Sequence, residues 1–436
     1  MIWAKEETLN RNEIEILQLE KLKGTVAYIY DRVAPYRAKM DEAGVKPSHI
    51  ESIKDLRKLP FTYKVDFRDN YPLGLFAVDK KDLVRFHASS GTTGKPTMVG
   101  YTKNDLEVWL NNVARIACMG GASSSDVAQI AFGYGTFTGA LGLHGGLEKI
   151  GASVIPMSSG NTKKQIMFMQ DLGVTLLVAT PSYALHLGEE IRARGIDPEK
   201  DLKIKIGLFG GEGMTEPMRD EMHKIWGKGF LCTQNYGMSE LCGPGVSGEC
   251  EELVGMHINE DWFIAEVINP VTGEVLNEGE TGELVITCLG KEALPLIRYR
   301  TGDLTKLMYE PCKCGRTTAR MANLSGRADD MLVIRGVNVF PTQIEEVLLA
   351  IPEIGPHYEI TVERKNHLDV MTIEVELTDD SLLDSYGKLS ELEQKIGKGL
   401  KAQLGLATRI KLAAPFTLKR FEGKAKRVTD LRKDGL

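Results

Sequence analysis

The sequence predicts an α/β protein built from two domains of unequal size. From about residue 105 to 235, helical patterns alternate with short apolar runs, which is typical of helices packed around a mostly parallel sheet. After Gly237 the sequence changes to strand-like pieces separated by turns, which indicates an antiparallel subdomain. The C-terminal part mixes helices and strands. We therefore expect a large composite N-terminal domain and a small α+β C-terminal domain.

The first element is an amphipathic helix over residues 10–29, which we expect to be packing rather than chemistry. Asn10 can cap this helix together with Glu13, and apolar residues recur along one side of it. Later in the chain, the runs ASVIP, VTLLVAT and IKIGLFG predict strands of the parallel sheet. The pieces DWFIAEVINP and GELVITCL, separated by NPVTGE and NEGETGE turns, predict the antiparallel subdomain.

The C-terminal domain is predicted from a change of pattern. A helix beginning at Pro341 is followed by strands over 357–377, a helix ending near Leu404 and a strand over 408–413. A glycine and consecutive charged residues at 326–330 separate this pattern from the preceding one. The predicted domains are therefore residues 1–328 and 329–436.

Composition excludes several classes of protein. The 436 residues are 42% hydrophobic, and 54 basic against 60 acidic residues give a formal net charge of −6. Such a balance favours neither nucleic acid nor anionic membranes as partners. The start of the chain lacks the apolar core of a signal peptide, and no run of about 18 apolar residues follows, so we expect a cytoplasmic protein. Seven scattered cysteines are typical of thiols or metal ligands rather than a disulfide framework.

The segment HASSGTTGKP, residues 87–96, predicts a phosphate-binding loop. Glycines let backbone amides converge on an anion, while hydroxyls and an ammonium add donors to phosphate oxygens. A P-loop would require glycine where Ser89 stands and Ser or Thr where Pro96 stands, so that type of kinase or GTPase is disfavoured. The alternative is a flexible surface loop. The predicted phosphate-binding residues are Ser89, Ser90, Gly91, Thr92, Thr93, Gly94 and Lys95.

This loop resembles the signature of the adenylate-forming enzymes, the family that includes acyl-CoA synthetases and luciferases. The resemblance implies that the FGGEG segment at 209–213 lies against adenine through Gly210, Gly211 and Glu212. It also implies that YGMSE at 236–240 packs an aromatic ring on adenine, places a hydroxyl at phosphate and holds Mg²⁺ with a glutamate. That loop consists of Tyr236, Gly237, Met238, Ser239 and Glu240.

Further motifs follow in the order expected for this family. The resemblance implies ribose contacts from Asp303 and Arg327, and a hinge at Asp329 about which a mobile C-terminal domain turns. It places Lys424 at the α-phosphate of ATP, where an ammonium would neutralise developing charge. The loop around Gly336 would then face the pantetheine arm of coenzyme A. Taken alone, Lys424 would be a solvated lysine of a charged tail.

Within the family, the chain is most similar to phenylacetate-CoA ligases, whose openings resemble LKGTVAYIYDRVAPYR and DLRKLPFTYKVDFRDNYPLGL. The segment FGYGTFTGALGLHGG resembles their aryl-pocket motif, in which Phe132, Tyr134 and Phe137 would form a slot for a ring. The alternative is that these aromatic residues only pack the core. Phenylacetate leads among the acids, with indoleacetate, substituted aryl acids and other small hydrophobic acids as alternatives.

A cysteine pair resembles a branch of this family and suggests a second metal. Cys312 and Cys314 stand in EPCKCGRT, and Cys250 and His257 stand upstream, so the four could form a Cys₃His zinc site. Four protein ligands would leave no open position, and such a zinc would be structural. The alternative is two thiols near a turn and a buried histidine elsewhere.

The predicted function is ATP-dependent ligation of an aryl acid to coenzyme A through an acyl adenylate, with release of AMP and pyrophosphate. The expected cofactors are ATP, Mg²⁺, coenzyme A and a structural Zn²⁺. Two other functions share the motifs: an adenylating enzyme that serves another acceptor, and a catalytically silent nucleotide-binding protein. A homodimer is expected from the resemblance alone.

Overall fold

The computed structural model describes residues 1–89, 96–328, 332–335, 337–365, 368–421 and 425–432. The α-helices are α1 Arg11–Arg32, α2 Ala34–Glu42, α3 Lys64–Asp69, α4 Lys103–Met119, α5 Thr138–Lys149, α6 Thr162–Asp171, α7 Pro181–Ala193, α8 Pro198–Asp201, α9 Glu216–Trp226, α10 Pro341–Leu349 and α11 Tyr386–Leu404. Among the helices of these residues, none is long and apolar enough to cross a membrane.

The strands are mostly short. They are β1 Arg85–Ser89, β2 Thr97–Tyr101, β3 Val127–Ile130, β4 Ser153–Ile155, β5 Leu176–Ala179, β6 Ile206–Phe209, β7 Leu231–Tyr236, β8 Ser247–Glu249, β9 Met256–Ile258, β10 Phe263–Ile268, β11 Gly282–Cys288, β12 Tyr299–Thr305, β13 Leu307–Met308, β14 Arg320–Met321, β15 Gly326–Arg327, β16 Leu332–Ile334, β17 Val337–Val339, β18 Ile354–Lys365, β19 Leu368–Leu377, β20 Arg409–Ala413 and β21 Val428–Asp430.

Two compact units divide the chain, and each contains more than one segment. The first unit comprises Met1–Thr180, Glu199–Gly211 and Gly229–Asn323. The second unit comprises Pro181–Pro198, Glu212–Lys228 and Leu324–Leu436, so that α7 and α9 group with the C-terminal part of the chain. The boundary predicted between residues 328 and 329 remains a prediction.

A nine-stranded sheet forms the centre of the first unit, in the order β13-β14-β9-β8-β7-β6-β5-β3-β4. Strands β3, β4, β5, β6 and β7 run parallel to one another, whereas β8, β9, β14 and β13 extend the sheet beyond β7 through antiparallel pairs. Every residue of β5 and β6 is buried, which explains why these strands appear as continuous apolar runs. The predicted parallel sheet is therefore confirmed, and part of the antiparallel region extends the same sheet.

A second sheet of the first unit contains β10, β11 and β12 as antiparallel neighbours. The N-terminal helix α1 begins as predicted, because the Asn10 side chain accepts from Glu13 N and the Glu13 carboxylate accepts from Asn10 N. In the second unit, the sheet has the order β20-β19-β18-β21, and α10 and α11 contribute to its apolar core. The α+β character expected for the C-terminal region is confirmed.

Candidate active site

Two predicted nucleotide-binding loops follow adjacent strands. β6 ends at Phe209, just before Gly210, and its parallel neighbour β7 ends at Tyr236. The carboxyl ends of parallel strands lie at one edge of a sheet, which is the usual ligand position in such folds. A Cβ atom on Gly210 would lie 2.7 Å from Oδ1 of Asn235, so glycine allows the two strand ends to approach.

The 236–240 loop is largely buried, and hydrogen bonds hold its main chain. The Tyr101 hydroxyl donates to the carbonyl oxygen of Ser239 at 3.4 Å, and Lys291 Nζ donates to the carbonyl oxygen of Glu240 at 2.8 Å. Ser239 and Glu240 are 7% and 2% exposed. The Ser239 hydroxyl, predicted to bind phosphate, and the Glu240 carboxylate, predicted to bind Mg²⁺, therefore lie on a fixed backbone.

Close packing explains the glycine in this loop. A Cβ atom on Gly237 would lie 2.6 Å from Cα of Gly243, so any other residue would displace one of the two segments. The next residue, Met238, is half-buried and accepts through its carbonyl oxygen from Leu241 N and Cys242 N. The chain therefore turns back on itself directly after the loop.

Tyr236 and Asp303 meet although 67 positions separate them. The Tyr236 hydroxyl donates to Asp303 Oδ2 at 2.6 Å, and both side chains are buried. Asp303 lies on β12, whereas Tyr236 ends β7. The structure thus brings together the residues predicted to contact adenine and ribose.

The predicted phosphate-binding loop connects two antiparallel strands. β1 ends at Ser89 and β2 begins at Thr97, and these two residues are paired across the hairpin. Ser89 Oγ is buried and has no hydrogen-bond partner among the residues that the structure describes. The remaining predicted contacts lie outside the described residues; they are Ser90, Gly91, Thr92, Thr93, Gly94 and Lys95.

The predicted aryl-pocket loop lies between β3 and α5. The rings of Phe132 and Phe137 are 6.2 Å apart between centroids, and Phe137 is 45% exposed whereas Phe132 is buried. A Cβ atom on Gly211 would lie 3.5 Å from the Phe132 ring, so this loop adjoins the end of β6. The structure therefore places two of the three predicted aromatic residues together, and Phe132 lies beside Gly211.

Tyr134, the third aromatic residue, hydrogen-bonds to α5. Its hydroxyl lies 2.9 Å from His144 Nδ1, and His144 Nε2 lies 2.9 Å from a Glu148 carboxylate oxygen. Burial raises the pKa of Tyr134 to about 12, so the phenol remains protonated at neutral pH. Tyr134 is consequently a hydrogen-bonding residue in a loop predicted to be apolar.

Hydrogen bonds connect the aryl-pocket segment to β1 and to the 236–240 loop. The carbonyl oxygen of Thr136 accepts from Ala88 N and from His87 Nδ1, each at 3.0 Å. Thr138 Oγ1 lies 3.3 Å from Ser239 Oγ. Within the first unit, the segment predicted to bind the acid is therefore hydrogen-bonded to β1 and lies beside Ser239 of the 236–240 loop.

Several predicted residues belong to the second unit or lie outside the described residues. Glu212 belongs to the second unit, where its carboxylate accepts from Ser182 N at 2.6 Å and from Ala425 N at 3.0 Å. Arg327 lies on β15 in the same unit. The predictions for Asp329, Gly336 and Lys424 fall outside the described residues.

The four predicted zinc ligands come together. The ligand atoms of Cys250, His257, Cys312 and Cys314 all lie within 4.8 Å of one another. Cys250 Sγ is 3.7 Å from Cys312 Sγ, and Cys314 Sγ is 3.5 Å from His257 Nε2. A tetrahedron with ordinary zinc bond lengths has S···S edges of about 3.8 Å and S···N edges of about 3.6 Å. The Cys250–Cys312 and Cys314–His257 separations therefore match the edges of such a tetrahedron.

His257 is held in the form that a metal requires. Its Nδ1 lies 3.1 Å from Thr318 Oγ1, which leaves Nε2 to face Cys314. Burial, and then the charges of Arg316 and Arg320, lower the pKa of His257 to about 3, so the ring is neutral. A neutral imidazole presents a lone pair to a cation.

The Cys-Lys-Cys-Gly-Arg turn also contacts the start of the chain. Arg316 Nε donates to a Glu7 carboxylate oxygen at 2.6 Å, and both side chains are buried. Thr317 N donates to the carbonyl oxygen of Glu7 at 3.1 Å. The cysteine turn therefore anchors the segment that precedes α1.

An aromatic cluster next to the site was missed in the sequence. Tyr101 stacks on Trp109, with ring centroids 4.9 Å apart, and His87 meets both rings edge-on. Trp109 Nε1 donates to the carbonyl oxygen of Pro244 at 2.5 Å, just beyond the 236–240 loop. The only sequence signal for this cluster is the position of His87, two residues before the hydroxyl-rich loop.

Comparisons with known proteins identify the class of protein. A family model described as AMP-binding enzyme matches residues 7–288, and one described as AMP-binding enzyme C-terminal domain matches residues 336–432. A crystal structure of 2-hydroxyisobutyryl-CoA ligase in the postadenylation state, in complex with R3-HIB-AMP, has a TM-score of 0.92 at 26% identity, covering 99% of this chain and 92% of that one. The class is therefore the AMP-binding, adenylate-forming enzymes.

Relatives with higher sequence identity identify the family within this class. A phenylacetate-coenzyme A ligase of Thermus thermophilus is 49% identical over 98% of both chains. A phenylacetate-coenzyme A ligase of Escherichia coli is 45% identical over 98% of this chain and 97% of the relative. The chain belongs to the phenylacetate-coenzyme A ligase family.

Proposed function

We propose that this protein is an ATP-dependent aryl-acid CoA ligase that uses phenylacetate or a close analogue. The main support for the proposal is the sequence identity of 49% and 45% with two phenylacetate-coenzyme A ligases, in each case over 98% of this chain. Two contacts of the first unit support it: Thr136 joins the aryl-pocket loop to β1, and Thr138 lies beside Ser239 of the 236–240 loop. An acid bound beside Phe132 would thus lie next to ATP.

In the first step, a carboxylate oxygen of the acid attacks the α-phosphorus of ATP. A new P–O bond forms as the bond to pyrophosphate breaks, giving the acyl adenylate. The ammonium of Lys424 stabilises the negative charge that develops on the α-phosphate. Tyr236 and Asp303, which are hydrogen-bonded to each other in the first unit, would contact adenine and ribose and so orient the nucleotide. Arg327 is the second ribose contact that the family resemblance implies.

Glu240 is the residue that would hold Mg²⁺. Its carboxylate is a hard oxygen ligand, and it is buried on a loop whose main chain is fixed by Lys291. When bound with ATP, the cation supplies neutralisation of phosphate charge. Ser239 contributes a hydroxyl donor to phosphate, and its Oγ lies 3.3 Å from Oγ1 of Thr138, the residue after Phe137.

In the second step, the thiol of coenzyme A attacks the acyl carbonyl and AMP leaves. We propose that the C-terminal domain turns about Asp329 between the steps, which withdraws Lys424 and brings in the loop around Gly336. One chain then performs both reactions with two sets of groups. The homodimer expected from the resemblance remains a prediction.

We also propose a structural zinc at Cys250, His257, Cys312 and Cys314. The support is the tetrahedral spacing, the neutral His257 and its hydrogen bond to Thr318. Four protein ligands would occupy all four coordination positions of a tetrahedral zinc. Such a metal would therefore take no part in either chemical step. Its contribution is to fix the turn that anchors Glu7.

The first test is a half-reaction assay with a panel of acids. The purified protein is given ATP, Mg²⁺ and each acid, with and without coenzyme A, and AMP and pyrophosphate release are measured. We expect turnover that depends on coenzyme A, highest with phenylacetate. Acid-dependent pyrophosphate release that coenzyme A does not affect would indicate another acceptor. Absence of release with every acid would contradict the ligase assignment.

A further inference from the structure

We propose that Glu212 is a positioning residue for adenylation, because its carboxylate fixes the main chain directly after Lys424. One carboxylate oxygen accepts from Ser182 N at 2.6 Å and the other from Ala425 N at 3.0 Å. Glu212 was expected only beside adenine. The inference rests on the proposed function, since it assumes that Lys424 acts at the α-phosphate.

The first anchor of this contact is the start of α7. Ser182 is the second residue of a 13-residue helix, and its N–H belongs to the first turn, where no intrahelical acceptor exists. A carboxylate is favoured there by the helix dipole and forms charge-assisted hydrogen bonds. The first turn of α7 therefore holds the Glu212 carboxylate in a position where its other oxygen accepts from Ala425 N.

A second anchor lies two residues beyond Ala425. Arg427 Nη2 donates to Ser182 Oγ at 3.2 Å, and Arg427 Nη1 is 3.3 Å from a Glu345 carboxylate oxygen. The guanidinium also lies 4.4 Å from the centroid of the Tyr358 ring. Glu212, which binds Ala425, and Arg427, two residues beyond it, therefore both contact Ser182 in the first turn of α7.

The sheet of the second unit also holds the main chain that follows Ala425. The carbonyl oxygen of Arg427 accepts from Ile360 N at 2.7 Å, and β21 then pairs in parallel with β18. Of the residues just after Lys424, Ala425 is thus held by a side chain and Arg427 by the sheet. Removing the Glu212 contact would free the residue adjacent to the lysine while leaving β21 paired.

The functional consequence is specific to one half-reaction. Displacing a reactive group by about 1 Å can cost about 10²-fold in rate, so loss of the Ala425 contact should slow the step that uses Lys424. The thioester step does not use Lys424 in the proposed mechanism. A residue that only maintained the fold would affect both steps.

Glu212→Gln is the sharpest variant. The amide has the shape of the carboxylate, but its NH₂ group cannot accept from a backbone N–H, so only one of the two hydrogen bonds can remain. Ser182→Ala is a second variant, which removes the Arg427 acceptor and keeps the backbone N–H that Glu212 uses. Glu221→Gln serves as the control, because Glu221 pairs with Lys224 on the exposed side of α9.

The experiment measures the two half-reactions separately with the full-length protein. Adenylation is followed by phenylacetate-dependent ATP–pyrophosphate exchange, and thioester formation by adding coenzyme A to supplied phenylacetyl adenylate. We expect Glu212→Gln to lower the exchange kcat by about tenfold or more, with the KM for ATP and the thioester rate within about twofold of wild type. Ser182→Ala should show a smaller loss in the same step, and Glu221→Gln none.

The outcomes separate this inference from the proposed function. Equal loss in both half-reactions, or no loss in either, would overturn the positioning role of Glu212. Wild-type protein without acid-dependent exchange would instead overturn the proposed function, whatever the variants do. The rate from supplied adenylate also reports whether each variant is folded.

Discussion

His87 is a single buried side chain that connects β1 to the aryl-pocket loop. The ring is 1% exposed, and Nδ1 must be the donor to Thr136, since a carbonyl oxygen can only accept. Burial lowers the pKa of His87 below its ordinary value, which favours the neutral ring. His87 Nε2 has no partner among the described residues. Protonation would therefore place an unpaired charge inside the aromatic cluster.

This burial predicts a pH dependence of stability. Because the folded pKa of His87 is lower than the unfolded value, the unfolded chain binds more protons as the pH falls through about 6.5. The free energy of unfolding should therefore decrease on acidification, by up to about 1.4 kcal/mol per pH unit from this group. Urea unfolding at several pH values, for wild type and His87→Asn, measures it. An identical slope in both proteins would contradict the assignment.

Lys424 carries the most specific catalytic prediction. Lys424→Ala should lower acid-dependent pyrophosphate exchange by about 10²-fold or more, because no other ammonium is assigned to the α-phosphate. The dissociation constant for ATP, measured by calorimetry, should change little, since the other ATP contacts remain. The matched control is Lys426→Ala, two positions away and exposed. Equal loss of ATP binding and exchange would refute the catalytic role.

At the scale of elements, the cysteine turn connects β9 to the N-terminal segment. His257 lies on β9, and Arg316 and Thr317 contact Glu7. The Arg316–Glu7 pair is buried, and breaking a buried pair by removing one partner costs about 3–5 kcal/mol. The geometry of the turn therefore affects residues far from it in the sequence.

Metal removal tests this element. Wild-type protein purified without chelator should contain about one zinc per chain, and Cys312→Ser should contain much less, with a lower Tm. Hydrogen exchange of residues 1–9 should accelerate in the variant, because Arg316 loses its fixed position. Cys118→Ala, outside the cluster, should keep the metal. Equal metal content and exchange in Cys312→Ser would contradict a zinc site.

At the scale of the whole molecule, ligand binding should stabilise the folded chain. A non-hydrolysable analogue of phenylacetyl adenylate binds only the folded site, so at about 100 times its Kd it should add about 2.7 kcal/mol. A thermal-shift titration measures the effect, with the matching analogue of a short aliphatic acid for comparison. Equal shifts at equal concentrations would contradict an aryl-selective pocket beside Phe132.

The division of the chain shows where sequence patterns are limited. Continuous apolar runs gave β5 and β6 correctly, because strands covered on both faces contain little else. The three-residue strands β8, β9 and β21 carry too few residues for an alternation to be recognised. The change of texture near residue 326 did not indicate that α7 and α9 group with the C-terminal part.

The sequence by itself determined which chemical groups are available: a hydroxyl-rich loop, a Tyr-Gly-Met-Ser-Glu loop, an aspartate and a lysine near the end of the chain in family order, together with three cysteines and a histidine of the kind that ligate metals. Only the tertiary structure decided which of these groups meet. Tyr236 and Asp303 are 67 positions apart, and Glu212 and Ala425 are 213 apart. Local patterns specify helices and strands because they arise from neighbouring residues. Contacts across such distances depend on strand order and side-chain packing, which spacing along the chain does not specify.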